Sequence, residues 1–229
     1  IVHYGLLAAS VIGFSATNAF ANHPVKKLSK THIAADTINA GLKLPTGFEA
    51  LKVADNLGRA RHITVTAQGD IYVKLGRLSS GKGILRLHDT NKDGKTDEVQ
   101  SFGNFIGTGI AIKNNYLYTS SDDAVYRYQL NATGEVINTE APEKIISGLI
   151  NRGQHESKSV ALDNDGNIYV NIGAYSNSCQ IEDRKKGSLG KMPCPILDSA
   201  GGIWKFSANK LNQTYENGVR YATGLRNVV

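Results

Sequence analysis

Residues 158–170 read KSVALDNDGNIYV, which is a short apolar alternation followed by a polar turn and an aliphatic-tyrosine pair. The same pattern occurs at 61–73 as RHITVTAQGDIYV and at 109–119 as GIAIKNNYLYT. The tyrosines of the three copies, Tyr72, Tyr118 and Tyr169, are 46 and 51 positions apart. That spacing is typical of the four-stranded blades of a β-propeller. The sequence therefore predicts an all-β propeller, and because three or four blades leave unpaired strand edges, we read the chain as part of a larger ring.

A second repeat supports the blades. Segments 83–87 (GILRL), 124–128 (AVYRY) and 202–206 (GIWKF) each follow one of the tyrosine strands and alternate apolar with basic residues. We predict that they form the third strands of the blades, with one face packed and the other in solvent. The segment from Phe48 to Val53 reads as an entry strand.

The first 21 residues are apolar or small and contain no Lys, Arg, Asp or Glu. They end in Ala19-Phe20-Ala21, the small-x-small pattern that signal peptidases cleave. A short transmembrane anchor is the alternative, but the run is brief and already polar at Asn18. We therefore expect a signal peptide at 1–21, a linker or N-terminal arm at 22–40, and at 41–229 the N-terminal part of a propeller domain truncated at its C-terminus. A periplasmic or secreted protein follows, with no stable membrane insertion after cleavage.

The net charge of +6 arises from 26 basic and 20 acidic residues scattered along the chain. No interleaving of aromatic and basic residues marks a nucleic-acid surface, so nucleic acid is not expected as a partner. A mildly positive surface favours anionic ligands, and ordinary solvated charge is the alternative.

The two cysteines, Cys179 and Cys194, lie in an insertion at about Ala174 to Ala200 between two repeat strands. In an exported chain an isolated pair is most simply a disulfide. It would close a loop of about fifteen residues, worth roughly 3 kcal/mol in the chain-entropy model. A two-thiol metal site is the weaker alternative. Insertions on propeller faces often wall a ligand pocket.

Residues 89–97 read DTNKDGKTD, which has the oxygen-ligand spacing of a calcium loop. The candidate ligands are Asp89, Asn91, Asp93 and Asp97. The twelfth position is Gln100 instead of a bidentate Glu, and the flanks read as strands. A hairpin turn rich in Asp and Gly is the alternative. Any calcium bound here is expected to be held weakly and to serve structure only.

His155 is the strongest candidate for chemistry. It follows a polar loop and stands just before a buried strand, where a propeller directs side chains towards its central channel. A neutral imidazole there can take a proton from a substrate hydroxyl. A hydrogen-bonded structural histidine is the alternative, and we prefer that alternative for His62 at the equivalent place in the first repeat. Arg226 and Asn227 stand at another inferred blade entrance and suit the oxygens of a flat polar cofactor.

Several segments carry a resemblance to a known family. They are 44–48 (LPTGF), 60–62 (ARH), 155–158 (HESK), 165–170 (DGNIYV), 176–179 (SNSC), 193–195 (PCP), 200–204 (AGGIW) and 224–227 (GLRN). In this order they resemble the soluble PQQ-dependent glucose dehydrogenases and, more closely, the L-sorbosone dehydrogenase-like branch of that propeller family. The resemblance runs from about Leu44 to the end of the chain.

The resemblance implies a six-bladed propeller, of which this chain supplies about half, that binds pyrroloquinoline quinone (PQQ) together with calcium. The family's base matches His155, which would take the proton of a sugar hydroxyl while hydride moves to the quinone. The family's cofactor contacts match Arg226 and Asn227, and Arg226 would stabilise negative charge on the quinone oxygen. We therefore expect an exported dehydrogenase that oxidises a sugar, a sugar aldehyde or a polyol and passes electrons to a further acceptor.

The chain departs from the family's pattern beside the base. Gln154 stands where the glucose dehydrogenases have an Asp, so an acid that orients the imidazole is missing, although Glu156 or another residue could serve. Lys158 also differs, and its positive charge would lower the pKa of a nearby histidine. The family's calcium ligands come from later blades.

Two other functions stay open. One is a non-catalytic propeller that binds a carbohydrate, a protein or a cell-surface component. The other is a calcium-dependent hydrolase of the lactonase type, which needs carboxylates and amides around the channel. Glu156, Asn177 and Asp163 are the candidates for that role, and their spacing does not favour it.

Overall fold

The computed structural model describes residues 39–229, in which three antiparallel sheets follow one another along the chain. Blade A comprises β1 (Ala60–Val65), β2 (Ile71–Ser79), β3 (Lys82–His88) and β4 (Glu98–Phe102). Blade B comprises β5 (Ile110–Lys113), β6 (Tyr116–Ser120), β7 (Val125–Gln129) and β8 (Glu143–Ser147). Blade C comprises β9 (Val160–Leu162), β10 (Asn167–Ile172), β11 (Gly202–Ser207) and β13 (Val219–Thr223), and β12 (Gln213–Thr214) pairs in parallel with β8 of blade B.

The prediction of an all-β fold built from four-stranded blades is confirmed for these residues. Each tyrosine repeat forms the first two strands of a blade, and the second repeat forms β3, β7 and β11. The signal peptide predicted at 1–21 and nearly all of the arm predicted at 22–40 lie outside the described residues. The helical elements within 39–229 are short 3-10 turns at Asn39–Gly41, Pro195–Asp198 and Tyr215–Asn217. No helix in that range is long and apolar enough to cross a bilayer.

The segment from Phe48 to Val53 does not form the predicted entry strand. The Phe48 side chain is 67% exposed. The carbonyl oxygen of Val53 accepts a single hydrogen bond, from the backbone N–H of Thr96 at 2.9 Å. Because no neighbouring strand offers a ladder, the extended stretch stays unpaired.

The repeat tyrosines join one blade to the next. The hydroxyl of Tyr72 in blade A donates to the carbonyl of Gly134 in blade B at 2.8 Å. The hydroxyl of Tyr118 in blade B donates to the carbonyl of Ala208 in blade C at 3.5 Å. Tyr72 and Tyr118 are both buried, so the next blade supplies the acceptor that a buried phenol requires.

Arg86 of β3 and Arg127 of β7 are buried, which corrects for these two strands the prediction that the basic residues face solvent, whereas Lys205 of β11 is half-buried. Arg86 donates to the Asp70 carboxylate of its own blade at 2.6 Å and to Glu135 of blade B at 2.8 Å. Arg127 donates to Glu143 at 2.6 Å and to the carbonyl of Ala208 in blade C at 3.1 Å. Facing blades cover these side chains, and a carboxylate partner makes the burial of each charge tolerable.

The core lies between adjacent blades. Tyr72, Ile84 and Phe102 of blade A pack against Leu117 and Tyr128 of blade B. The Phe102 ring meets both tyrosines edge to face, with centroids 6.2 Å from Tyr72 and 5.1 Å from Tyr128. A second cluster joins blade B to blade C in the same way. This packing sets the blades side by side, with the starts of β1, β5 and β9 at one end of the sheets. We call this the entry end.

Candidate active site

The entry end holds a cavity of about 360 Å³ to which all three blades contribute. Its lining includes Arg59 and Arg61 before and in β1, Thr108 before β5, Asp122 between β6 and β7, and His155 and Glu156 before β9. Each of these lies at the start of the first strand of a blade (β1, β5 or β9) or in a hairpin turn at the same end. The cavity therefore combines an imidazole with guanidinium and carboxylate groups, which is a set able to bind an anionic, oxygen-rich ligand.

His155 is held with one ring nitrogen occupied. Nδ1 lies 2.5 Å from the carbonyl oxygen of Ala174. Because a carbonyl oxygen only accepts, Nδ1 must carry a proton, and in the neutral ring the lone pair is then on Nε2. The His155 backbone has a φ of 50°, in the left-handed region that residues other than glycine seldom adopt. The hydrogen bond from Nδ1 to Ala174 therefore gives the neutral ring the tautomer that a proton acceptor requires.

Gln154 does not take part in orienting the imidazole. Its side-chain amide donates to Asp183 at 2.8 Å, and its carbonyl oxygen accepts from Arg184 at 2.9 Å. The hydrogen bond from Gln154 is the main cause that lowers the pKa of the Asp183 carboxyl. Gln154 therefore anchors the insertion beside the base, and the backbone carbonyl of Ala174 does the orienting that an acid does in the predicted family.

Gly173 brings His155 and Asn227 together. A Cβ on Gly173 would lie 2.4 Å from the His155 carbonyl oxygen and 2.9 Å from Asn227 Oδ1, closer than real side chains come. Only glycine lets the loop before β9 and the loop after β13 both close onto the end of β10. Asn227, predicted as a cofactor contact, is thus a neighbour of the predicted base.

Arg226 lies on the other side of the same backbone. Its carbonyl accepts from the N–H of Ala174 at 2.8 Å, and its guanidinium Nε donates to Asn177 Oδ1 at 3.0 Å. Arg226 lines a separate cavity of about 200 Å³, which the disulfide between Cys179 and Cys194 also lines. The structure thus joins all three predicted residues through Gly173 and Ala174, and places Arg226 in an adjoining cavity instead of the one His155 lines.

The disulfide predicted for the two cysteines is present. Cys179 and Cys194 are joined with their Cα atoms 6.0 Å apart. The bridge closes a small hairpin in which the N–H of Ile181 donates to the carbonyl of Leu189 at 2.9 Å. Because Asn177 stands just before this hairpin, the bridge fixes the segment that holds Arg226.

Sequence reasoning missed Asn171, which is 3% exposed and lies two residues after the repeat Tyr169. Its amide Nδ2 donates to the carbonyl of Ser157 at 2.9 Å and to Asn227 Oδ1 at 2.8 Å. The signal that was available is a polar residue inside an apolar strand, which indicates a buried hydrogen-bonding role.

Two buried lysines shape the electrostatics beneath the cavity. Lys74 and Lys158 have no exposed surface, and burial lowers the pKa of Lys74 to about 7 and that of Lys158 to about 8. Lys74 donates to the carbonyl of Phe105 at 2.7 Å, and Lys158 donates to that of Glu156 at 2.5 Å. Burial also raises the pKa of Asp122, which faces both lysines. The region therefore holds groups whose charge changes near neutral pH.

His62 makes a backbone contact of the kind that the sequence favoured for it. Its Nδ1 lies 3.1 Å from the carbonyl oxygen of Thr108, in the loop that enters blade B. The contact ties the start of β1 to the neighbouring blade.

The calcium loop predicted at Asp89, Asn91, Asp93 and Asp97 is folded by its own hydrogen bonds. Both carboxylate oxygens of Asp89 accept backbone N–H groups, from Lys92 at 2.6 Å and from Gly94 at 2.7 Å. Asp97 accepts from the backbone and hydroxyl of Thr90, both at 2.8 Å. Among residues 39–229 no three His, Cys, Asp or Glu side chains gather to hold a metal ion. These hydrogen bonds are those expected of the hairpin-turn alternative, and weak calcium binding at this loop stays a prediction.

The residues considered for a lactonase-type site are not gathered. Asp163 follows the end of β9 and accepts hydrogen bonds from Asn167 and Tyr169. It therefore lies at the end of blade C away from the entry end, whereas Glu156 lies at the entry end. Asn177 is occupied by Arg226. No cluster of carboxylates and amides around the channel forms from this set.

Comparison with known proteins adds one family and several solved structures. A family model described as TrAA12-like matches residues 42–229. No curated protein matches the chain.

The chain is similar in fold to the holo form of the pyranose dehydrogenase PQQ domain from Coprinopsis cinerea, with a TM-score of 0.58 and 19% identity over 77% of this chain and 41% of that one. It is also similar to the iodide structure of a Trichoderma reesei protein of Carbohydrate-Active Enzymes Family AA12, with a TM-score of 0.60 and 17% identity over 76% of this chain and 42% of that one. The calcium structure of the Trichoderma protein gives a TM-score of 0.57 and 15% identity over 73% and 41%. The chain thus spans about two fifths of these structures, and at this identity the likeness concerns the fold.

Proposed function

Because this chain belongs to the TrAA12-like family, we propose that the full-length protein is an exported PQQ-dependent dehydrogenase that oxidises a sugar, a sugar aldehyde or a polyol. The observation that carries the proposal is the convergence of His155, Arg226 and Asn227 on Gly173 and Ala174. These residues come from loops more than seventy positions apart, and the resemblance in sequence assigns them to one reaction. The Coprinopsis domain, named for PQQ, shares the fold.

The residues at the entry end fit the cofactor by chemistry. PQQ is a flat quinone that carries carboxylates, so its site needs cations and amide donors around a narrow space. Arg59 and Arg61 line the cavity of His155, and Arg226 lies behind it. A Cβ on Gly76 would lie 2.9 Å from Arg61 Cγ, so glycine leaves room for this side chain. We propose that these arginines, with Asn227, hold the cofactor.

His155 acts in this proposal as the general base. Its Nε2 takes the proton from a substrate hydroxyl, and the Ala174 carbonyl stabilises the imidazolium that results through the Nδ1–H bond. The bound quinone supplies the acceptor for the hydride that leaves the same carbon, so the hydroxyl becomes a carbonyl. Arg226, in the adjoining cavity, would add positive charge that stabilises the reduced cofactor. Among residues 39–229 no three His, Cys, Asp or Glu side chains gather to hold the calcium that the resemblance implies, and no step here uses it.

A reconstitution experiment tests the proposal. Full-length protein is incubated with PQQ and calcium, and dye reduction is followed with a panel of aldoses and sorbosone. We expect PQQ to raise the melting temperature and sugar to drive dye reduction. If no thermal shift and no absorbance change appear, the chain is better described as a non-catalytic binding module.

The base assignment has its own variant. His155→Ala is expected to lower kcat by roughly 10²–10⁴-fold, the usual contribution of a general base, while PQQ binding persists. His88→Ala is the matched control, because His88 lies at the end of β3 that is away from the entry end, where it binds Asp70. Equal turnover in the wild type and His155→Ala would refute the assignment.

We also propose export, with residues 1–21 as a cleaved signal and 41–229 as part of the propeller domain. The disulfide supports this, since such bonds persist in oxidising compartments. N-terminal sequencing of the mature protein from periplasm or medium is expected to begin at Asn22. Recovery from the cytoplasm with an uncleaved N-terminus would contradict it.

A further inference from the structure

The residue two positions after each repeat tyrosine plays the same structural role in each of the three described blades. Lys74, Ser120 and Asn171 occupy these positions, and all three are almost completely buried. Each reaches a loop at the entry end. Lys74 donates to the carbonyl of Phe105, and the Ser120 hydroxyl accepts from the N–H of Gly109 at 2.9 Å. The register of the repeat thus supplies every blade with one polar side chain that holds a loop leading into an inner strand.

Asn171 differs from the other two because it holds two loops at once. Its Nδ2 donates to the carbonyl of Ser157, in the loop of His155, and to Asn227 Oδ1. Its Oδ1 accepts from the N–H of Val228 at 3.1 Å. The loop of the predicted base and the loop of the predicted cofactor contact are therefore joined by one buried amide.

The orientation of this amide is determined by the backbone. A carbonyl only accepts and an N–H only donates, so Ser157 and Val228 together decide which end of Asn171 is nitrogen. Asn171 then offers a donor to Asn227, whose Oδ1 must be the atom that faces it. This leaves Nδ2, the other terminal atom of the Asn227 amide, to donate to a ligand oxygen.

We propose that Asn171 is a positioning residue: it sets the orientation of the Asn227 amide and keeps that amide in register with His155. The inference rests on the proposed function, since it gives Asn227 a ligand to serve. Asn171→Asp tests it most directly. The introduced carboxylate can accept from Val228 but cannot donate to Ser157 or to Asn227. The Asn227 amide is then expected to turn its nitrogen inward and present an oxygen to the ligand.

The first measurement is PQQ affinity in the full-length protein, by fluorescence titration. We expect Asn171→Asp to weaken PQQ binding about tenfold, the effect of one lost hydrogen bond. Asn227→Ala should weaken it to a similar degree, and the double variant should be no weaker than Asn227→Ala. Additive losses would overturn the inference, because they would mean that Asn171 acts independently of Asn227. Lowering the pH should restore part of the affinity in Asn171→Asp, since a protonated carboxyl has one O–H that can donate to Asn227 Oδ1.

The second measurement needs no cofactor and separates the inference from the proposed function. Hydrogen exchange is measured for residues 155–158 and 225–228 in Asn171→Leu and in the matched control Gln213→Leu. Gln213 is equally buried and also donates to backbone carbonyls, but in the middle of β8 and at the end of β11 away from the entry end. We expect Asn171→Leu to speed exchange at both loops about tenfold and Gln213→Leu at neither.

The outcomes are distinct. Unchanged exchange at either loop in Asn171→Leu would overturn the coupling of the two loops. Faster exchange at both loops in a protein that binds no PQQ would uphold that coupling and reject the proposed function. Equal effects from both leucine variants would show a general loss of stability and reject positioning.

Discussion

Replacing Gly173 with alanine tests the placement of the base without touching a functional side chain. The added methyl group would lie 2.4 Å from the carbonyl oxygen of His155, 2.6 Å from its Cβ and 2.9 Å from Asn227 Oδ1. Contact between such atoms is comfortable only beyond about 3.4 Å, so the loop of His155 must recede by about 1 Å. The His155 ring is held through Nδ1 by the carbonyl of Ala174, and Asn227 Oδ1 accepts from the buried Asn171 amide, so a shift of either neighbour strains a hydrogen bond.

The expected cost falls mainly on catalysis. Overpacking of this kind lowers the free energy of unfolding by roughly 1–3 kcal/mol, which a folded domain usually survives. A displacement of about 1 Å at a catalytic group can lower turnover by about 10²-fold. We therefore expect Gly173→Ala to stay folded, with kcat for sugar oxidation reduced by about two orders of magnitude.

The assay is steady-state dye reduction by the full-length protein with PQQ and calcium, together with thermal denaturation. Gly190→Ala is the matched control. It lies in the insertion that follows Gly173, and its new Cβ would meet nothing closer than Ser178 O at 3.8 Å. We expect the control to keep normal kcat. A Gly173→Ala protein with unchanged kcat would show that the position of His155 does not limit the reaction.

Replacing Cys179 and Cys194 with serine opens a loop with a sequence separation of 15, and we expect the free energy of unfolding in urea to fall by about 3 kcal/mol. The dissociation constant for PQQ should rise in the same variant because Arg226 loses a fixed partner; an unchanged constant would separate the insertion from the cofactor site. Burial lowers the pKa of Lys74 in the folded protein to about 7, from an ordinary value of 10.5. Between these two pH values the unfolded chain binds more protons than the folded one, so the free energy of unfolding rises with pH. Lys74→Met should flatten this rise in urea titrations at successive pH values, and a rise as steep as that of the wild type would contradict the lowered pKa.

The strands could be predicted because their information is local. The alternation around Tyr72, Tyr118 and Tyr169 is readable within a dozen residues, and it matches the strands of all three blades. Phe48 to Val53 reads equally well by the same rule and forms no strand. A strand needs a partner, and the pairing of distant segments is not written in local alternation.

The site could be predicted only in part. The sequence offered His155, Arg226 and Asn227 as separate candidates, and only the resemblance grouped them. Asn171 joins them, and a polar residue in an apolar strand indicates a buried hydrogen bond without naming its partners, which stand 14 and 56 positions away. From the sequence, Gln154 was interpreted as the replacement of an acid that would orient His155. Its actual partners, Asp183 and Arg184, stand about thirty residues away in the insertion.

Arg86 and Arg127 show the same limit in the blades. Basic residues that alternate with apolar ones predict an exposed face on a sheet with one packed side. In a propeller both faces of a sheet meet a neighbouring blade, so these side chains find carboxylates and carbonyls there instead of water. The alternation was correct, and its assignment to solvent was not.

The hydroxyls of Tyr72 and Tyr118 give the joining of blades a temporal order. Each donor is translated before its acceptor, by 62 residues for Tyr72 and by 90 for Tyr118. During synthesis a blade therefore holds a phenol without its final partner until the following repeat has left the ribosome. Blades A and B therefore each wait for the repeat that follows before their buried phenols are satisfied.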